Sequence, residues 1–180
     1  MKFIRIIISI LTSCAALSVL PLYGGEPSVK ALSALSFDFT QTKTSAMLAE
    51  KAVATGALTY TAPDKVRWEY FTPTQTVFDS SAAGRNRSYK NFSSLVGSLA
   101  CGGALKSDSN FEVTYEESDG KWLVTLKPAR KDLRQMFSQI RLTVHKNDSL
   151  VHVIEISEKN GDLTVIECHN IKYTELTPIK

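Results

Sequence analysis

The clearest pattern along the chain is alternation. In KVRWEYFTP, residues 65–73, Val66, Trp68 and Tyr70 fall on one face of a strand, and Lys65, Arg67 and Glu69 fall on the other. The same period of two runs through SFDFTQTK, which sets Phe37, Phe39 and Gln41 against Asp38, Thr40 and Thr42. It runs through GALTYTAP, which sets Leu58, Tyr60 and Ala62 against Ala57, Thr59 and Thr61. QTVFDSS, FEVTYEE, KWLVTLKP, FSQIRLTVHK, SLVHVIEISE and DLTVIECHNIKY read as further strands, and a turn at Gly84 leads into another that ends at Tyr89. Turn chemistry separates them: Pro63-Asp64, Ser118-Asp119-Gly120, Asn147-Asp148 and Asn160-Gly161.

Two stretches have a different period. Ser28 to Leu35 predicts a short helix, capped by Ser28, with Val29, Leu32 and Leu35 on one stripe. Asn91 to Leu105 predicts a second, with Asn91 as cap and Phe92, Leu95 and Leu99 at helical spacing. Gly97, Gly102 and Gly103 weaken that helix by about 1 kcal/mol each relative to alanine. SAMLAEKAV and KPARKDLRQMFSQ read as connections. The sum is a mainly β protein with a few helices: about ten antiparallel strands in a half-open curved β-barrel, with helices covering the apolar concave face.

The first residues stand outside this pattern. Lys2 and Arg5 precede a greasy run from Ile6 to Leu22, and Gly24 and Gly25 follow it. That layout predicts a secretory signal peptide over residues 1–24, cleaved from a single domain over 25–180. Leu11-Thr12-Ser13-Cys14 offers an alternative, a lipobox that would anchor the protein through lipidated Cys14. The apolar AALSVLPL after Cys14 argues against it, because a lipid-anchored tether is usually polar. Cleavage removes two of the 21 basic residues and none of the 18 acidic ones, leaving a net charge of +1. No basic field is left to attract nucleic acid. An exported protein can pair Cys101 with Cys168, although two distant cysteines do not fix a bridge and two buried thiols remain an equal reading.

The chemistry of catalysis is missing. His145, His152 and His169 all lie in predicted strands, and the Asn147-Asp148 hairpin places His152 near Thr143 rather than His145. No H-x-x-x-H or Cys/His spacing suggests a metal, no G-x-S-x-G offers a nucleophile, and Cys101-Gly102-Gly103 lacks the ending of a phosphate loop. The reading is a non-enzyme without cofactor or metal. What the chain has in quantity is an inward-facing apolar set: Phe37, Phe39, Leu58, Tyr60, Val66, Trp68 and Tyr70, then Ile140, Leu142, Val144, Ile154, Ile156 and Ile166. A curved sheet must bury one face, and these residues suffice for that. A weak helix above such a face also suits a removable lid.

An ordered series of motifs narrows this. Phe39-Thr40-Gln41 is followed by Gly56-Ala57-Leu58, Pro63, Arg67-Trp68-Glu69-Tyr70, Pro73, Leu126-Lys127-Pro128 and Asn170-Ile171. In this order they resemble the periplasmic outer-membrane lipoprotein carrier family, the LolA-like proteins, over roughly residues 29 to 175. The resemblance implies a half-open barrel whose concave face takes lipoprotein acyl chains. It implies an inner-membrane lipoprotein-releasing transporter that loads the carrier and an outer-membrane receptor that unloads it. The carrier would be monomeric and periplasmic. Leu58, Tyr60, Val66, Trp68 and Tyr70 match the family's cavity row, and the cavity would extend to Phe37, Phe39, Ile140, Leu142, Val144, Ile154 and Ile156. Leu95 and Leu99 would face it from a lid helix carrying Gly97, Gly102 and Gly103. The chain departs from the family at Ala62, where relatives carry the arginine that tethers the lid. Arg67 points to the wet face by parity and does not replace it. Alternatives of the same fold are a receptor anchored through Cys14 and a carrier of another acyl lipid; an acyl hydrolase lacks its nucleophile and base.

Overall fold

A computed structural model describes residues 32–47, 49–62, 65–79 and 111–175. Within them, alternation becomes strands: β1 (Leu32–Thr44), β2 (Ala52–Thr61), β3 (Lys65–Thr72), β4 (Thr76–Asp79), β5 (Phe111–Ser118), β6 (Lys121–Pro128), β7 (Phe137–His145), β8 (Leu150–Glu158) and β9 (Leu163–Glu175). One short helix, α1 (Lys131–Met136), leads into β7. The strands form one antiparallel sheet in the order β4-β3-β2-β1-β9-β8-β7-β6-β5. Two meanders, β1 to β4 and β5 to β9, are joined where the first strand pairs with the last. The result is an open, curved sheet, a half-open barrel whose edges among the described residues are β4 and β5.

The turns follow from residue types. Asp119 and Gly120 both have positive φ, 46° and 72°, which a two-residue hairpin needs to match the twist of its strands. Gly161, at φ 91°, turns β8 into β9.

Two sequence expectations change here. Leu32 to Leu35 lie in β1, not in a helix. The pairing of β1 with β9 slips between Leu32 and Ala34, and both Leu32 and Leu35 are buried. A bulge inserts one residue, so two inward leucines end up three positions apart and imitate a helical stripe. KPARKDLRQMFSQ contains α1 rather than only a connection; that helix buries no residue, so no apolar stripe announces it. Nine of the ten expected strands are described. The expected signal peptide and Cys14, the strand ending at Tyr89, and the lid residues Leu95, Gly97, Leu99, Gly102 and Gly103 lie outside the described residues, as does Cys101.

Candidate functional site

Alternation and register together stack one face of every strand into a single apolar surface. Phe37 in β1 pairs with Leu58 in β2, and Leu58 pairs with Trp68 in β3. Across the other half, Leu126 pairs with Ile140, Ile140 with Ile156, and Ile154 with Ile166. Phe37, Phe39, Leu58, Val66, Trp68, Ile140, Leu142, Val144, Ile154 and Ile156 are all buried on this face. Tyr60 and Tyr70 are half-buried and pack against it. The sequence-predicted inward set is thus brought together as one continuous surface.

The surface is wider than that set. Phe111, Val124 and Leu126 belong to it, and Val113 and Trp122 pack on it. The period of two in KWLVTLKP, with Trp122, Val124 and Leu126 at alternate positions, was the available signal. Leu32, Leu35, Phe137, Leu150 and Val151 are also buried, at strand ends where bulges disturb the alternation.

At one end of the surface the side chains are aromatic. Phe39 lies 5.0 Å from the Trp68 ring and edge-on to Tyr70 at 5.3 Å, Trp68 stacks on Tyr70 at 5.9 Å, and Phe78 meets Tyr70 edge-on at 6.2 Å. Such tilted and offset contacts are the favoured geometry of ring quadrupoles. The Tyr70 hydroxyl donates to Oε1 of Gln41 at 2.8 Å, which gives the half-buried ring a partner for its polar tip. Gly56 sits beneath this cluster. A Cβ there would meet the carbonyl oxygen of Glu69 and come within 2.5 Å of the Phe39 ring, so only glycine lets the ring and the neighbouring strand close in.

The opposite face carries charged and polar side chains, with exposed Val53, Phe71 and Val77 among them. Arg67 is exposed and pairs with Glu69 at 3.2 Å, in keeping with its outward parity. Asn170 has φ 51° where the β1–β9 register slips between Ser36 and Asp38, and its Nδ2 donates to Asp38 at 2.8 Å. An asparagine tolerates this left-handed conformation better than most residues. Ala62 lies just past β2, and its N–H donates to the Ser33 carbonyl at 2.9 Å. At the margin of the apolar face, in line with Phe39 and Gln41 on β1, Lys43 reaches Glu158 at 3.0 Å and Asp162 at 3.1 Å.

Cys168 is a buried free thiol beside Phe39 in register, and burial pushes it up to about 12. It is therefore neutral and unreactive at pH 7. One expectation about the histidines fails. The backbone does pair His145 with Leu150 and Thr143 with Val153, yet the rings of His145 and His152 stack at 3.7 Å with an interplanar angle of 10°. The register slips between Thr143 and Val144, which turns His152 out of the alternation set by Ile154 and Ile156.

The family model for outer membrane lipoprotein carrier protein LolA matches residues 30–178. No curated protein matches the chain. Among solved structures, the chain is similar to one in the complex of MucA and MucB from Pseudomonas aeruginosa, at 9% identity and a TM-score of 0.41, covering 80% of this chain and 54% of that one. It is similar to a LolA superfamily protein from Nitrosomonas europaea, at 8% identity and a TM-score of 0.33, covering 81% and 88%. A structure of MucB matches at 9% identity and a TM-score of 0.45, covering 84% and 57%. The chain spans about half the length of the matched chains in the two MucB structures.

Proposed function

This chain belongs to the outer-membrane lipoprotein carrier family, and from that premise we propose that it is a periplasmic carrier for the acyl chains of lipoproteins. It takes them up at the inner membrane from a lipoprotein-releasing transporter, shields them from water, and gives them to an outer-membrane receptor. It acts as a monomer, by binding rather than by catalysis. The observation that carries this reading is the unbroken apolar face from Phe111 at one edge to Val66 and Trp68 near the other. The export-type leader of residues 1–24 supports the compartment.

The energetics are suited to the task. Each methylene withdrawn from water is worth about 0.8 kcal/mol, so an acyl chain of ~16 carbons gains on the order of 10 kcal/mol. A carrier must also release what it binds. A lid segment that has to be displaced would lower the net affinity, because opening consumes part of the binding energy. The glycine-rich residues 91–105, with Leu95, Leu99, Gly97, Gly102 and Gly103, are assigned this role.

Ala62 favours one second reading. The arginine that tethers the lid in relatives is absent, and the Ala62 side chain offers no donor. A carrier with looser closure would also accept another acyl lipid.

Native mass spectrometry of the mature chain, purified from its own periplasm without detergent, tests both. A bound triacylated lipoprotein is the expected result. A different lipid would move the function to the second reading. An empty protein that also fails to extract lipoprotein from membranes would return the Trp68 row to ordinary core.

A further inference from the structure

The β7–β8 hairpin gathers three side chains that acyl binding does not use. His145 closes β7, Asp148 lies in the turn, and His152 follows in β8. His145 is one residue beyond buried Val144 and so belongs to the polar face of the sheet, away from the apolar surface. The bulge brings His152 against it. Asp148 is held by the turn: its Oδ1 accepts the Leu150 N–H at 3.0 Å, while its Oδ2 accepts from Nε2 of His152 at 2.8 Å.

We propose that His145, Asp148 and His152 bind a divalent transition-metal ion, with zinc the ion they suit best. Their ligand atoms all lie within 4.8 Å of one another, the only such group among the described residues. Two imidazole nitrogens with one carboxylate oxygen are a donor set for zinc rather than for magnesium or calcium, which prefer oxygen. Three protein ligands leave a fourth position for water. Asp148 and His152 are about a quarter exposed, so an ion reaches them from solvent. The imidazoles must be neutral to ligate. Burial, the neighbouring His152 and the Lys121 charge all favour neutral His145, against the opposing pull of Asp148.

Binding demands one rearrangement. Parallel rings direct their lone pairs side by side, so the His145–His152 stack must open into a V with both nitrogens aimed at one ion. The ion would take the place of the hydrogen bond between His152 and Asp148, with the His152 proton moved to the ring's other nitrogen. Lys121, paired opposite His145, is a cation close by and works against the site.

The test uses the metal-stripped mature protein titrated with zinc chloride alone by isothermal calorimetry, and it is independent of any lipid readout. One equivalent is expected to bind. His145→Ala and His152→Gln should each weaken binding by at least about 10-fold, the scale seen even for changes outside the ligand shell. Lys121→Gln should strengthen it, and His169→Ala, on β9, should leave it unchanged. In the unmutated protein, the imidazole nitrogen resonances of His145 and His152 should both move in step with zinc, which guards against a variant that fails to fold. No saturable binding, affinity unchanged by both histidine variants, or unmoved His145 and His152 resonances would each overturn the site.

Discussion

The hydroxyl of Tyr70 donates a 2.8 Å hydrogen bond to Gln41, across 29 residues of sequence. It ties β3 to β1 over the top of β2, and it joins two motifs that look unrelated in the sequence, Phe39-Thr40-Gln41 and Arg67-Trp68-Glu69-Tyr70. The pair lets an apolar face include a tyrosine without stranding its oxygen. Tyr70→Phe is expected to cost about 1 kcal/mol, the net worth of one such bond. A double-mutant cycle with Gln41→Leu, read by denaturant unfolding, should return a coupling of similar size. Zero coupling would mean the two side chains do not stabilise each other in solution.

The third motif, Gly56-Ala57-Leu58, converges on the same place. Gly56 lies where the β2–β3 register slips, under the Phe39 ring and against the Glu69 carbonyl. Gly56→Ala should destabilise the protein by about 1–3 kcal/mol, the range for forcing a methyl into a closed site. Shrinking the ring with Phe39→Leu in the same chain should recover only part of the loss, because the Glu69 backbone remains. Wild-type unfolding by the single variant would contradict this packing.

These two cases show what the sequence could and could not reveal. Strand identity and facing were legible wherever strict alternation held, as in Val66, Trp68 and Tyr70, since a period of two allows only one inward set. Why Gln41 and Gly56 sit where they do was not legible, because both depend on partners in other strands. Bulges caused the clear misreadings. An inserted residue put Leu32 and Leu35 three apart, like a helix, and another brought His152 to His145 against the expected separation. Nothing local marks those slips, since a bulge is decided by how two strands must both satisfy their neighbours.

Lipid binding is best challenged from the margin of the apolar face. Trp68 is 1% exposed, so a charge there would test folding first. Tyr60 is only half-buried and pairs with Val66 and Leu35. Tyr60→Glu is expected to fold, with an unchanged far-ultraviolet spectrum, and to lose uptake of lipoprotein, because a carboxylate would meet the acyl chain. Full uptake by the folded variant would place the cargo elsewhere.

Arg67→Ala is the matching control. The side chain is on the polar face, and its pairing with Glu69 is an exposed one. Such pairs are worth about 0–1 kcal/mol. Stability and lipoprotein transfer should both stay near the parent values. A large loss of transfer would show that Arg67 compensates for the arginine missing at Ala62.

The pH response should centre on the Lys43–Glu158–Asp162 group. The Asp162 carboxyl is held below the ordinary carboxylate range, first by the Ser45 hydroxyl and then by Lys43 and Asn160, against the opposing effect of burial. A depressed carboxylate contributes stability that is present above its unfolded pKa and lost as pH falls through the folded one. Lys43 is shifted upward, chiefly by its hydrogen bond to Glu158, so its share is present below its unfolded pKa and lost only as alkaline pH rises through its folded value. Between roughly pH 5 and 9 both contributions are intact. Melting temperature should therefore be flat across that window with respect to this group and fall on the acid side. Asp162→Asn should lower the melting temperature at pH 7 and lower it by less at pH 2.5, because below the unfolded carboxyl's pKa the advantage of the depressed one is shrinking. An equal loss at both values would show that Asp162 stabilises the β8–β9 turn through shape and hydrogen bonding alone, with no part for its charge.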